Sequence, residues 1–157
     1  MLDIIARVKP RVVVLHSMWK DGYDTTDIER TVRAIRQRVS ARIELVGPPP
    51  FWKDGLPRAY LQYYRLTSAL LPSYSQFHLE DREAVEDSLH TAAAKLQIDY
   101  FSLHEVLCRQ DGCLTRVGDD AKDVTASDWA HLTEDGSAYV AAQLLPRLEQ
   151  SFEAAKR

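Results

Sequence analysis

The chain has 157 residues, the size of one domain with a single sizeable core. Its formal net charge is −3 and it has no clustered basic run, which disfavours nucleic acid and anionic membrane surfaces as partners. No apolar run approaches the roughly 20 residues of a membrane span, and Met1–Asp3 does not begin a signal peptide. We therefore expect a soluble domain whose export signal or membrane anchor lies outside this chain.

The first third of the chain alternates between helix and strand patterns. Leu2–Val8 reads as the end of a helix, and Val12–Leu15 is a continuously apolar run typical of a strand buried on both faces of a parallel sheet. Thr26 to Val39 is an amphipathic helix that starts with the capping box Thr26-x-x-Glu29. Its predicted buried face holds Ile28, Val32, Ile35 and Val39.

The middle of the chain continues this alternation. Ile43–Val46 is a second short strand, ended by the segment Gly47–Pro50 because proline offers no ladder donor. A helix follows from Gly55 to about Leu71, then another from about Glu80 to Leu96. Ile98–Phe101 is a third short strand.

The last predicted element is a helix from Ser137 to Phe152, in which Pro146 is expected to introduce a kink or a division. The order of strands and helices along the chain predicts a doubly wound α/β fold with a mainly parallel sheet. In such sheets ligands bind at the carboxyl edge of the strands. His16 and Ser17 directly follow the first strand and His104 follows the third, so all three are candidates for this edge.

The two cysteines, Cys108 and Cys113, flank an Asp-Gly pair that favours a tight turn. Such a turn brings the two sulfurs together, and a local disulfide is the favoured reading. Two independent buried thiols are the alternative, and a metal site is less favoured because no second Cys or His cluster has zinc spacing. A disulfide would argue for an oxidising compartment such as the bacterial periplasm.

The stretch from Ser127 to Ser137 places Asp128 three residues before His131, in a polar turn that leads into the last helix. A catalytic histidine needs one ring nitrogen free and a carboxylate on the other to fix its tautomer. Asp128 and His131 are suited to those roles, although Asp and His also occur near helix starts for capping reasons. Thr133 and Asp135 are the candidate caps here.

This Asp-x-x-His-Leu-Thr-x-x-Gly-Ser block resembles the last sequence block of the SGNH (GDSL-like) hydrolases, most closely the SGNH domain of membrane acyltransferase-3 proteins. Three other features fit the resemblance: Val12–Leu15 ending in Trp19, Val46–Pro50, and the cysteine pair. It implies a three-layer flavodoxin-like α/β fold. The whole chain, 1–157, would be one such domain that resembles the C-terminal two thirds of the family domain and lacks the first strands.

The resemblance also implies a Ser-His-Asp mechanism in which His131 is general base and acid and Asp128 orients it. The family's nucleophile lies in a Gly-Asp-Ser block, and this sequence contains neither that block nor a Gly-x-Ser-x-Gly elbow. We therefore expect a serine from outside this chain. Ser17 and Ser137 are the weaker candidates within it.

The expected function is that of a periplasmic or extracytoplasmic O-acyl, in the first place O-acetyl, transferase or esterase acting on a cell-surface glycan. Its partners would be an acyl donor, a glycan or other hydroxyl acceptor, and a membrane acyltransferase domain in the full protein. Serine-based acyl transfer requires no metal or dissociable cofactor. The alternative is a catalytically inactive SGNH-like remnant or a glycan-binding module.

Two further expectations concern surfaces. Ser17, Trp19 and Trp52 are the candidate substrate-binding residues, with the two indoles forming an apolar wall for an acyl group or a sugar; anchoring of loops against the core is the alternative for the tryptophans. If the missing strands normally pair with Val12–Leu15, that strand has a free apolar edge. The edge predicts either a homo-oligomer or a complementing chain that carries the Gly-Asp-Ser strand.

Overall fold

The computed structural model describes the backbone of residues 2–154 and the side chains of residues 2–150. The chain divides into two compact units. The first unit contains residues 1–48, 83–102 and 148–157, and the second contains residues 49–82 and 103–147. The expectation of a single domain over residues 1–157 stays a prediction.

Six helices and six strands are formed by the described residues. The helices are α1 (Leu2–Val8), α2 (Thr26–Arg36), α3 (Leu56–Thr67), α4 (Glu83–Leu96), α5 (Leu103–Leu107) and α6 (Glu134–Ala154). The strands are β1 (Val12–Leu15), β2 (Arg42–Val46), β3 (Tyr74–Ser75), β4 (Asp99–Phe101), β5 (Cys108–Arg109) and β6 (Gly112–Leu114). No helix in the described range is long and apolar enough to cross a membrane.

The first unit contains a parallel sheet with the strand order β1-β2-β4. Its core forms where α2 and α4 contribute apolar stripes at helical spacing. The buried members of this core are Trp19, Ile28, Val32, Ile35, Ile43, Leu45, Val85, Leu89 and Ala93. The prediction of a mixed α/β fold with a parallel sheet is confirmed.

Strand β1 differs from its prediction in burial. None of its four residues is fully buried, and Val14 is 44% exposed. β1 lies at one end of the described sheet and pairs only with β2, so its packing is incomplete. The expectation of burial on both faces was therefore wrong, whereas β2 in the centre is buried over four of its five residues.

The start of α2 also corrects a prediction. The N-cap is Thr25, which makes no side-chain capping bond. The Thr26 N–H instead donates to Oδ1 of Asp24 at 2.9 Å. Glu29 forms ion pairs with Arg33 at 3.0 Å and Lys95 at 3.6 Å. The predicted capping box therefore does not form, because a carboxylate two residues upstream already satisfies the first free N–H.

Strand β2 carries a buried acidic side chain that its apolar pattern did not predict. Glu44 is fully buried, and its Oε2 accepts a hydrogen bond from Arg42 at 3.0 Å. Arg42 also donates to Asp99 on β4 at 2.6 Å. Because the parallel register pairs Glu44 with Asp99, one arginine forms ion pairs with both of the acidic side chains that the sheet brings side by side.

The second unit contains α3 and a small antiparallel sheet with the order β3-β6-β5, which was not predicted. Helix α3 ends at Thr67 rather than near Leu71, because Ser68 adopts a left-handed conformation. Helix α5 was likewise missed; it is only five residues long. The buried core of this unit is formed by Trp52, Leu56, Ala59, Leu71, Cys113 and Ala126.

Helix α6 begins at Glu134, three residues earlier than predicted. It runs through Pro146 without a break, so a division of the helix at this proline is contradicted, while the alternative expectation of a kink there stays a prediction.

We predict that Ile35→Ala lowers the free energy of unfolding by about 2–5 kcal/mol, because it removes a fully buried side chain and leaves a cavity. The matched control is Leu66→Ala, at an exposed position of α3, for which a change within about 0.5 kcal/mol is expected. Urea denaturation followed by circular dichroism measures both. Equal losses in the two variants would contradict this description of the core.

Candidate active site

The predicted Asp-His stretch forms a closed loop in the second unit. Ala126 and Leu132 form an antiparallel bridge at its base. The Ser127 N–H donates to the main-chain oxygen of His131 at 2.8 Å, and the Ser127 hydroxyl donates to the same oxygen at 3.2 Å. Asp128 and His131 are therefore carried by a loop whose two ends are tied together.

The loop is fastened to the start of α3. The Leu56 N–H donates to the main-chain oxygen of Asp128 at 3.0 Å, and the Trp52 N–H donates to that of Trp129 at 2.8 Å. Gly55, which precedes α3 with φ of 93°, allows the close approach, since a Cβ there would lie 3.3 Å from the carbonyl carbon of Asp128. The main chain of Asp128 is thus fixed by a helix N-terminus.

The other end of the loop is fastened to the start of α6. The Thr133 hydroxyl accepts the Gly136 N–H at 3.1 Å and donates to the Val124 carbonyl at 2.6 Å. Thr133 therefore caps α6; it was one of the two candidate caps, the other being Asp135. Gly136 has a steric role here, because a Cβ at this position would collide with the main-chain oxygen of Thr125.

Within this loop, the carboxylate of Asp128 is bonded through both oxygens. Oδ1 accepts the N–H groups of Ala130 at 2.9 Å and His131 at 2.8 Å. Oδ2 lies 2.7 Å from Nδ1 of His131. The side chains of Asp128 and His131 are 41% and 70% exposed, so the dyad is accessible to solvent.

Partial desolvation opposes ionisation of Asp128, but the hydrogen bonds outweigh it and lower the pKa of this carboxyl to about 2. The main contributors are the N–H groups of Ala130 and His131, followed by the imidazole of His131. An ionised carboxylate only accepts hydrogen bonds. Nδ1 of His131 must therefore carry the proton in this pair, which leaves Nε2 to accept a proton from a substrate or nucleophile.

The predicted aromatic wall is not exposed in this structure. Trp19 is 3% exposed and its Nε1 donates to the Val46 carbonyl at 2.8 Å; Trp52 is 1% exposed and belongs to the core of the second unit. Their burial favours the alternative role of anchoring loops, and substrate contact by either stays a prediction. The exposed indole is Trp129, at 37%, between the two dyad residues in sequence. Sequence reasoning missed it, although its position beside His131 was a usable signal.

The serine and histidine candidates lie as follows. Ser17 and His16 are exposed after β1, and His16 Nδ1 lies 3.3 Å from the Val46 carbonyl. Ser137 is exposed in the first turn of α6. Among the described side chains of the second unit, the serine that bonds to His131 is Ser127, which reaches its main chain and not its ring. A nucleophilic role for Ser17 or Ser137 stays a prediction.

Cys108 and Cys113 are joined by a disulfide that closes the β5–β6 hairpin. The predicted Asp-Gly turn connects these strands, and Gly112 there has a φ of 118°. Nε2 of His104 lies 4.0 Å from the Cys113 sulfur. The three side chains are close enough to share an ion, but bonded sulfurs are not available as thiolate ligands.

The described residues form an α/β protein with a parallel sheet in its first unit and a hydrogen-bonded Asp128–His131 pair on a loop of its second unit. Residues 1–146 match the family model described as "SGNH domain (fused to AT3 domains)". The chain therefore belongs to the SGNH domain family, as the resemblance of its Asp-x-x-His block indicated.

Two solved structures are similar to the chain. The periplasmic domain of a lipopolysaccharide acetyltransferase from Salmonella ser. Paratyphi A matches with 29% identity and a TM-score of 0.84, covering 94% of this chain and 60% of that one. A peptidoglycan O-acetylesterase matches with 18% identity and a TM-score of 0.63, covering 98% of this chain and 41% of that one; this likeness concerns the fold alone. The chain thus spans 60% of the length of the acetyltransferase domain. The comparison with curated proteins found no match.

We predict that the Asp128 carboxyl titrates with a pKa of about 2 and that His131→Ala raises this value, because the imidazole partner is lost. The rise should be partial, since residues 130 and 131 keep their main-chain N–H groups. The carboxyl carbon chemical shift followed against pH measures both, with Asp128→Asn identifying the signal. An unchanged pKa in His131→Ala would contradict the Nδ1 contact.

The direction of the shift also has a consequence for stability. A carboxyl whose pKa is lower in the folded state stabilises the fold above its unfolded pKa, near 4, and loses that contribution as the pH falls toward 2. Asp128→Asn should therefore show a weaker fall of unfolding temperature across that pH interval than the parent chain. The same fall in both proteins would contradict the assignment.

Proposed function

We propose that this chain is the His-Asp part of an SGNH-type O-acyl transferase or esterase that acts on cell-surface glycans, with O-acetyl as the first choice of acyl group. The observation that carries the proposal is the Asp128–His131 contact of 2.7 Å on a loop fixed at both ends. Membership of the SGNH family and the 29% identical acetyltransferase domain support it.

In the proposed reaction His131 acts through Nε2. It takes the proton of a serine hydroxyl as that oxygen attacks the ester carbonyl, and then gives the proton to the departing alcohol. An acyl-serine remains. His131 next deprotonates the acceptor, which is a glycan hydroxyl in transfer or water in hydrolysis, and the attack on the acyl-serine returns the proton to the serine. Asp128 holds the imidazole and stabilises its charged form throughout.

The nucleophilic serine in this proposal comes from outside the chain. The Gly-Asp-Ser block that carries it in the family does not occur in the 157 residues. Ser137 is close to His131 in sequence and lies in the first turn of α6, where its main-chain N–H donates to the main-chain oxygen of Thr133 at 2.8 Å. A covalent acyl-enzyme route requires an activated nucleophile, which the dyad cannot replace.

We further propose a periplasmic or other extracytoplasmic location and a membrane acyltransferase domain as a partner. The Cys108–Cys113 disulfide is suited to an oxidising compartment. The family description names fusion to AT3 domains, and the similar Salmonella structure is of a periplasmic domain. Neither metal nor dissociable cofactor is required by the serine route, in which the acyl donor is a co-substrate.

The test is hydrolysis of p-nitrophenyl acetate by the chain alone and by the chain supplied with a polypeptide that carries a Gly-Asp-Ser strand. We expect an acyl-enzyme burst only in the second case, with His131→Ala and Asp128→Asn each lowering kcat by about 10²–10⁴-fold. Ser17→Ala is the control within the chain.

A burst from the chain alone that Ser17→Ala removes would contradict the external serine and assign the nucleophile to Ser17. Activity of the supplemented chain that does not depend on His131 would contradict the dyad. If the supplemented chain stays inactive although the two components associate, the second candidate function applies: an inactive SGNH-like remnant or glycan-binding module. The absence of Gly-Asp-Ser from this sequence is the observation that favours that candidate.

The edge of β1 is the proposed attachment point for another strand, from a second copy or from a complementing chain. β1 pairs with β2 on one side only in the described sheet, and Val14 is exposed. An unpaired apolar edge promotes strand addition.

We predict that Val14→Lys reduces association at this edge by charge repulsion and desolvation of the lysine. Light scattering across a concentration series should show a concentration-dependent rise in mass for the parent chain, and a smaller rise for the variant. The control is Leu66→Lys on α3, which should behave as the parent. A parent chain that stays a monodisperse monomer at high concentration would contradict self-association.

A further inference from the structure

Trp129 combines exposure with a fixed position. The chain contains three tryptophans, and the other two, Trp19 and Trp52, are almost completely buried. Trp129 instead leaves 37% of its surface in solvent, so part of its indole is available for contact with a ligand. Because it occurs on a loop that is tied down by hydrogen bonds, this exposure is not the result of a loose segment.

The main chain around Trp129 is held on both sides. Its carbonyl accepts the N–H of Trp52 at 2.8 Å. The next residue, Ala130, donates its N–H to the carboxylate of Asp128 at 2.9 Å. The turn that orients the carboxylate of the dyad therefore also fixes the Cα of Trp129.

The ring of Trp129 is supported as well. It lies 5.1 Å, centroid to centroid, from the ring of Phe51, which is buried. The guanidinium of Arg82 lies 4.2 Å from the Phe51 centroid and covers that ring. The ring of His131 lies 5.9 Å from that of Trp129 in an edge-on arrangement. Phe51, Trp129 and His131 thus form a row, named here the aromatic row, with its exposed indole next to the proposed base.

A pyranose ring is the ligand that this arrangement suits. Its axial C–H groups form an apolar face with partial positive charge, which is attracted to the negative face of an indole. Its hydroxyls stay at the rim, where solvent or the imidazole can bond to them. A rigid indole also loses little conformational entropy on binding, so the contact is not offset by an ordering cost.

We propose that Trp129 is the stacking platform for the sugar ring that carries the reacting hydroxyl or ester, and so a residue that positions the glycan beside His131. The inference rests on the proposed function for the identity of the reaction. Its binding part, contact between a pyranoside and the exposed indole, does not require catalysis.

The binding test uses the whole chain and the indole N–H region of its ¹H–¹⁵N spectrum. Three tryptophans give three indole signals, and Trp129→Phe identifies the one to follow. The probes are the methyl glycosides of glucose, galactose, rhamnose and N-acetylglucosamine, together with chitotetraose; glycerol at equal hydroxyl concentration is the control. We expect saturable shifts of the Trp129 signal with at least one sugar, and none with glycerol.

The variants then measure how much the platform contributes. Trp129→Ala should weaken binding of the responding sugar about tenfold, and Trp129→Phe should weaken it less, because a smaller aromatic face remains. The matched control is Tyr64→Ala, which removes an exposed aromatic from α3. Equal effects of Trp129→Ala and Tyr64→Ala would overturn the proposal, as would the absence of any Trp129 response to all five probes. Circular dichroism checks that each variant is folded.

A kinetic measurement separates this proposal from the proposed function. With the serine-supplemented chain and an O-acetylated methyl glycoside, Trp129→Ala should raise KM about tenfold with a smaller effect on kcat, as expected of a positioning residue. An active, His131-dependent enzyme whose KM does not respond to Trp129→Ala overturns the platform and leaves the proposed function standing. A sugar-dependent shift of the Trp129 signal in a chain that has no His131-dependent activity would support the platform and contradict the proposed function.

Discussion

The candidate site depends on one carboxylate that makes bonds with both of its oxygens. Oδ1 of Asp128 accepts two main-chain N–H groups and closes a turn, and this leaves Oδ2 aimed at Nδ1 of His131. The same three bonds lower the pKa of the carboxyl to about 2. The same turn therefore sets both the orientation of the imidazole and the ionised state of the carboxylate. Because an ionised carboxylate only accepts hydrogen bonds, Nδ1 of His131 carries the proton, and Nε2 is left to accept one.

The local part of this arrangement could be predicted from the sequence. An Asp three residues before a His in a polar turn is close enough for a direct contact, and the Asp-Gly pair between the cysteines indicated the turn and the local disulfide, though not the strands on either side of it. The strand Val12–Leu15 was predicted with its observed bounds and β2 was predicted as Ile43–Val46, one residue shorter than observed, because parallel strands are short, largely apolar and followed by helix periodicity. In each case the information lies within a few residues of the chain.

What depends on distant partners could not be predicted in this way. Strand β3 has two residues and exists because β6, about forty positions later, pairs with it. The acidic side chain of Glu44 interrupts an apolar strand, and its contact with Arg42 follows from a register that places Asp99 beside it on the next strand. The predicted capping box of α2 was wrong for a related reason. Asp24, Thr25 and Thr26 all have side-chain oxygens that can cap a helix, and in the structure it is Asp24 that accepts the Thr26 N–H.

The burial of the three tryptophans was not predictable from the sequence either. Residue type alone cannot distinguish a buried indole from an exposed one, and the two expected to line a cleft are the two that fill cores. The exposed one belongs to the dyad loop. His131 is itself 70% exposed, and water around an exposed imidazole weakens every electrostatic interaction that the ring makes. A sugar ring seated on Trp129 would displace that water from one side of the imidazole. If the proposed function holds, a glycan in this position would contribute to catalysis by excluding water from one side of His131, and the balance between transfer and hydrolysis would follow from whether a glycan hydroxyl or a water molecule occupies the space next to Nε2.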